Sequence, residues 1–73
     1  MTRLRCVSGQ ECIKALARAG FEQKRQQGSH IVLRRDNPFA QLVVPNHTEL
    51  DRGTLRAIIR QADLSVEEFY KLL

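Results

Sequence analysis

The stretch Phe21-Glu22-Gln23-Lys24-Arg25-Gln26-Gln27-Gly28-Ser29-His30-Ile31-Val32-Leu33-Arg34 decides how this chain folds. Phe21 to Gln26 and Ile31 to Arg34 both read as extended, with Gln27-Gly28 as the tight connection of a β-hairpin between them. In the second strand Ile31 and Leu33 alternate with His30, Val32 and Arg34, so the two sets point to opposite faces of a sheet. The first strand alternates Phe21, Gln23 and Arg25 against Glu22, Lys24 and Gln26, polar enough for a sheet edge or a strand with one wet face. Gly28 supplies the backbone freedom the turn needs, and the turn delivers His30 onto the start of a strand. Histidine is the one side chain whose unperturbed pKa, about 6.5, lets it accept and donate protons near neutrality. His30 is therefore a candidate for proton transfer. Its plain structural reading is a half-exposed strand residue donating to a backbone carbonyl.

On the N-terminal side, Ser8-Gly9-Gln10-Glu11 is a capping box, with Val7 and Cys12 placed as its hydrophobic staple. It opens a helix over Gly9 to Ala19 whose Cys12, Ile13, Leu16 and Ala17 share one face while Lys14 and Arg18 point away. Gly20 ends that helix as a left-handed residue, and Phe21 packs back over its last turn. On the C-terminal side, Arg35-Asp36-Asn37-Pro38 reads as a turn and Gln41 to Val44 as a third strand, stopped by Pro45. After a polar loop over Asn46 to Arg52, Thr54 to Ala62 carries Leu55, Ile58, Ile59 and Ala62 at amphipathic-helix spacing. A second capping box, Ser65-Val66-Glu67-Glu68, with Leu64 and Phe69 as staple, starts a short last helix whose Val66, Phe69, Tyr70 and Leu73 seek a core. The order α-β-β-β-α-α predicts an α+β fold: sequential antiparallel strands, both main helices on one face, and the other face, bearing His30, left open.

Composition narrows the function. Seventy-three residues make one domain, 1–73. A domain of this size hides only about 60% of the surface its unfolded chain exposes. There is no room for a deep substrate cavity, so an active site here is an open surface acting on something large. Twelve Lys and Arg against eight Asp and Glu give a net charge of +4, which favours a polyanionic partner such as nucleic acid, or simply a solvated basic surface. No apolar run approaches the roughly 20 residues that span a bilayer. Met1 to Arg5 is too short and charged for a secretion signal, so a cytoplasmic protein is expected. Cys6 and Cys12, taken with His30 and His47, match no zinc-site spacing and read as structural thiols; no metal is expected.

The residues as a set resemble a known family. The likeness runs from the Ser8-Gly9 helix start through Ala19-Gly20-Phe21 and Arg25-Gln26-Gln27-Gly28-Ser29-His30. It continues through Val43-Val44-Pro45-Asn46-His47, Glu49-Leu50, Gly53-Thr54-Leu55-Arg56 and Ile59-Arg60-Gln61-Ala62, and finishes at Leu64-Ser65-Val66-Glu67-Glu68-Phe69. In this order and spacing the chain resembles the HicA-like (YcfA-like) toxins of bacterial type II toxin–antitoxin systems. The resemblance implies a fold similar to the double-stranded-RNA-binding domain and an mRNA interferase activity, that is, an endoribonuclease that cuts transcripts and arrests growth. It implies His30 as the catalytic base, RNA as substrate, no cofactor, and a HicB-like antitoxin as partner. Two departures stand out: Asp63 where the family usually has a helix-ending glycine, and the Arg35 to Gln41 segment with Pro38 and Phe39.

Several residues keep two readings. Ser29 either donates to a phosphate or only satisfies the turn. His47 is either a second acid/base group that protonates the leaving 5′-oxygen or a brace between Pro45 and the next helix. Arg52, Arg56 and Arg60 recur every four residues as a cationic ridge, either a solvated flank or a set of phosphate contacts that position RNA without reading its sequence. Lys24, Arg25 and Arg34 extend the same candidate RNA footprint. Phe39 and Tyr70 are the aromatics available for base stacking, though packing is the commoner role of such residues. A non-catalytic RNA-binding module and a pure protein-interaction module share this fold and charge.

Overall fold

A computed structural model describes residues 6–73 of the chain; the Met1 to Arg5 reading lies outside them. The elements are α1 (Gly9–Arg18), β1 (Glu22–Gln27), β2 (His30–Asp36), β3 (Phe39–Pro45), α2 (Arg52–Gln61) and α3 (Val66–Leu72). The three strands form one antiparallel sheet in the order β1-β2-β3, so the expected α+β architecture and strand sequence hold.

Both capping boxes form, Ser8 with Glu11 and Ser65 with Glu68, each hydroxyl accepting from the amide three residues on while the glutamate accepts from the cap amide. Val7 and Cys12 are both buried, as their staple requires. The buried face of α1 differs in part from the expected one: Cys12, Ala15 and Leu16 are buried and Ala17 is exposed. At about 100° per residue, Ala15 lies about 60° to one side of Cys12 and Leu16 about 40° to the other, while Ala17 is about 140° from Cys12, toward solvent. The helix stops at Arg18 with Ala19 as its cap. Gly20 takes φ +96°, its amide donating to Ala17 O, while Phe21 N donates to Leu16 O, the paired bonds of a Schellman end.

Helix α2 begins two residues before the expected Thr54, because Asp51 caps it through the Thr54 amide and hydroxyl. The second hairpin is also tighter than the sequence suggests. Asp36 pairs with Phe39, so β2 and β3 run into the anticipated turn and leave only Asn37-Pro38, joined by a cis peptide bond, as its connection.

Ile31, Leu33, Leu42 and Val44 face the helices and meet Leu16, Leu55, Ile58, Ile59 and Phe69 in one core. β1 is an edge strand with all six residues exposed. Its pairing slips between Gln23 and Arg25, so Lys24 is a bulge residue. The slip breaks the expected alternation: Gln23 pairs with Leu33 but Arg25 pairs with Val32, which moves Arg25 onto the open face.

Candidate active site

His30 opens β2, exposed, between Gln27 on β1 and Pro45 on β3. Gly28 before it takes φ +59°, and nothing lies within 4 Å of where a Cβ would sit, so the turn needs glycine for its backbone and not for space. Gln26 Nε2 braces the turn by donating to Gly28 O at 3.0 Å. Across the sheet end, Asn46 N donates to Ser29 O at 2.6 Å. The loop that carries His47 is thereby tied to the turn that carries His30, and both imidazoles are exposed.

That loop rests on the start of α1. Gly9 N donates to His47 O and Leu50 N to Val7 O, both at 2.8 Å. A Cβ on Gly9 would lie 2.3 Å from Pro45 O, closer than any side chain allows. Gln10 Nε2 donates to Asn46 Oδ1 at 2.9 Å. Sequence reading placed no functional weight on Gly9, Gln10 or Asn46. No local pattern marks them, because their partners are distant along the chain.

On the open face the register lines up four rows: Gln27-His30-Pro45, Arg25-Val32-Val43, Glu22-Arg34-Gln41, and Asp36-Phe39. Arg34 Nε sits 3.0 Å from Asp36 Oδ1 and Lys24 Nζ 3.8 Å from Glu22 Oε1, with both cations still accessible to solvent. Lys24, Arg25 and Arg34 thus share the sheet with His30. Arg52, Arg56 and Arg60 are exposed on α2, in the helical layer that packs behind the sheet, so the two cationic sets form separate surfaces. Arg35, on the helix-side face, is pinned: its guanidinium lies 4.8 Å from the Phe21 ring centre and Nε donates to Pro38 O at 2.9 Å.

The two aromatics separate as well. Tyr70 is half-buried beside Phe69, their ring centres 6.1 Å apart, and belongs to packing. Phe39 stays 69% exposed at the far end of the open face, so packing does not account for it. Cys12 is buried, which pushes its thiol up to about 12, and Cys6 is exposed, its thiol raised chiefly by a hydrogen bond to Glu49. Among the described residues no group of three or more His, Cys, Asp or Glu is placed to hold a metal ion, and no helix is long and apolar enough to cross a membrane. A shallow pocket lined by Glu11, Lys14, Arg18 and Leu73 includes none of the candidate residues.

An exposed imidazole thus stands at an open sheet end, with a second on a loop bonded to the same turn and cations along the strands. No curated protein matches the chain. Residues 9–64 match the family described as the HicA toxin of bacterial toxin–antitoxin systems, a span running from the first residue of α1 through the sheet and α2 to Leu64. That span is most of the chain and holds both histidines, the glycine turn and all six candidate cations, so the protein belongs to the HicA toxin family.

Proposed function

We propose that this toxin is an endoribonuclease that cuts mRNA by transesterification, with His30 as its general base. Neutral His30 takes the proton of a ribose 2′-hydroxyl, and the 2′-oxygen attacks the adjacent phosphorus. The bond to the 5′-oxygen breaks, leaving a 2′,3′-cyclic phosphate and a 5′-hydroxyl once that oxygen is protonated. A positioned base contributes about 10²–10⁴-fold to such a step. Lys24, Arg25 and Arg34 hold the phosphates along the strands and offset charge that builds on phosphorus. The observation that carries this reading is the exposed His30 on a glycine turn at an open sheet end, in a chain of this family.

His30→Ala tests it. The side chain is exposed, so its loss should cost little stability. RNA cleavage and growth arrest should both disappear, with the circular dichroism spectrum and melting temperature retained. Cleavage by the wild type should survive EDTA, because each step above needs only proton transfer and fixed charge. An alanine variant that cuts RNA at the wild-type rate overturns the assignment. One that binds RNA as the wild type does, where the wild type itself never cuts, favours the non-catalytic RNA-binding module.

For His47 the favouring observation is the Asn46 to Ser29 bond, which holds its loop against the His30 turn. In this second reading His47 protonates the leaving 5′-oxygen. His47→Ala then lowers kcat and flattens the alkaline limb of the pH–rate profile, because only a protonated general acid can donate; an unchanged rate leaves His47 as a brace.

A further inference from the structure

Three segments remote in sequence meet at the turn that carries His30, and the bonds between them run through two side chains that no chemistry has yet claimed. The start of α1 is rigid: its capping box is complete and Cys12, Ala15 and Leu16 are buried. The loop after β3 is stitched to it by two backbone bonds, Gly9 N to His47 O and Leu50 N to Val7 O. Asn46 lies at the head of that loop and faces two ways. Its amide donates to Ser29 O at 2.6 Å, and its side-chain Oδ1 accepts from Gln10 Nε2 at 2.9 Å. The turn itself projects from an edge strand whose six residues are all exposed, and from that strand the Gln26 side chain reaches it, at Gly28 O.

We propose that Gln10 and Asn46 are positioning residues for His30: their hydrogen bond ties the loop, and through Asn46 N the Ser29-His30 turn, to the rigid first turn of α1. The inference rests on His30 being the base of the reaction proposed above. Neither side chain is assigned contact with substrate. A general base works only within hydrogen-bond reach of the proton it takes, and a misplacement of about 1 Å can cost about 10²-fold in rate. The Gln10–Asn46 bond lies at the surface, so breaking it should leave the fold intact while loosening the turn.

The test is a double-mutant cycle with Gln10→Ala and Asn46→Ala, read in single-turnover cleavage of an RNA oligonucleotide. Each single variant should lose about tenfold in kcat, a partial misplacement by the same rule, with KM unchanged. The double variant should be no slower than the slower single, because one bond has been removed twice. Asn46→Asp keeps the acceptor oxygen and should keep kcat, even where its charge raises KM. In the free protein, amide exchange at Ser29 and His30 should accelerate in both alanine variants, a readout independent of activity. Wild-type kcat in both singles, additive losses in the double, or unchanged exchange at the turn would each overturn the positioning role. If His30→Ala still cleaves, the base assignment falls and this inference with it; if His30→Ala is dead while Gln10→Ala is fully active, the positioning role alone falls.

Discussion

Asp63 holds φ +60°, in the region that L-residues avoid, and completes the same helix ending that Gly20 completes for α1. Its amide donates to Arg60 O and that of Leu64 to Ile59 O, matching the Gly20–Ala17 and Phe21–Leu16 bonds one for one. The left-handed conformation costs an L-residue roughly 1–2 kcal/mol, less for aspartate, and glycine returns part of the difference through its freer unfolded chain. Asp63→Gly should therefore stabilise the protein by about 0.5–1 kcal/mol, raising the melting temperature by several degrees. Urea denaturation of the two proteins side by side checks this, and a less stable glycine variant would refute it. The position was marked at the sequence level by the family resemblance, which expects a helix-ending glycine there. That aspartate would occupy it without disturbing the helix end is known only from the backbone.

At the scale of elements, α2 and α3 are each started by a carboxylate. The Thr54 hydroxyl and amide hold Asp51 below its usual 3.8, and the Ser65 amide and hydroxyl hold Glu68 below its usual 4.5. A carboxylate with a lowered folded pKa binds protons less readily in the native state than in the unfolded one. Its contribution is complete above the usual value and is lost as pH falls through the lower folded one. Stability should therefore decline on acidification below about pH 5, and more shallowly in Asp51→Asn with Glu68→Gln. Asparagine is as good a cap as aspartate, so little should change at neutral pH. Denaturant midpoints at pH 7 and pH 3 test both halves; equal acid slopes would remove the caps from the account. The α2 ridge makes a separate prediction. Replacing Arg52, Arg56 and Arg60 together should flatten the slope of log affinity for single-stranded RNA against log salt by about 2, at about 0.7 per phosphate contact. An unchanged slope would make the ridge a solvated flank, with binding left to Lys24, Arg25 and Arg34.

For the molecule as a whole, the relevant fact is openness. The chain forms a two-layer body of 33 × 27 × 17 Å, and among the described residues no segment covers His30. Membership of a toxin family pairs it with an antitoxin, and we propose a HicB-like protein whose N-terminal part covers His30 and the open sheet face. Phe39 and Val43 are the large apolar residues most exposed on that face, and Arg25 and Arg34 lie in the rows beside them. An acidic partner with an apolar centre would complement this surface. The free toxin should arrest growth, and the complex should be stable and inactive on RNA. Hydrogen exchange on complex formation should slow at Gly28 to Val32 and Phe39 to Val44. Protection confined to the exposed sides of α1 and α2, or a complex that cleaves at the free rate, would contradict this.

What the sequence determined by itself was whatever depends on neighbours along the chain. Capping boxes act over three residues, amphipathic spacing over four, and strand alternation over two, so the six elements, the sheet order and a glycine turn before His30 could be read from local pattern. The connection itself is Gly28-Ser29, with Gln27 closing β1 opposite His30. The helix family of Leu55, Ile58 and Ile59 and the inward Ile31 and Leu33 were fixed by the same periodicities. Tertiary structure decided whatever joins residues far apart. The bulge at Lys24 sends Arg25 to the His30 face, because strand register is settled by pairing with β2 and not by alternation within β1. The separation of the α2 arginines from the strand cations depends on which layer each element joins. The Gln10–Asn46–Ser29 connection needs α1, the β3–α2 loop and the β1–β2 turn docked together, and a close approach at Gly9 that only the folded chain creates.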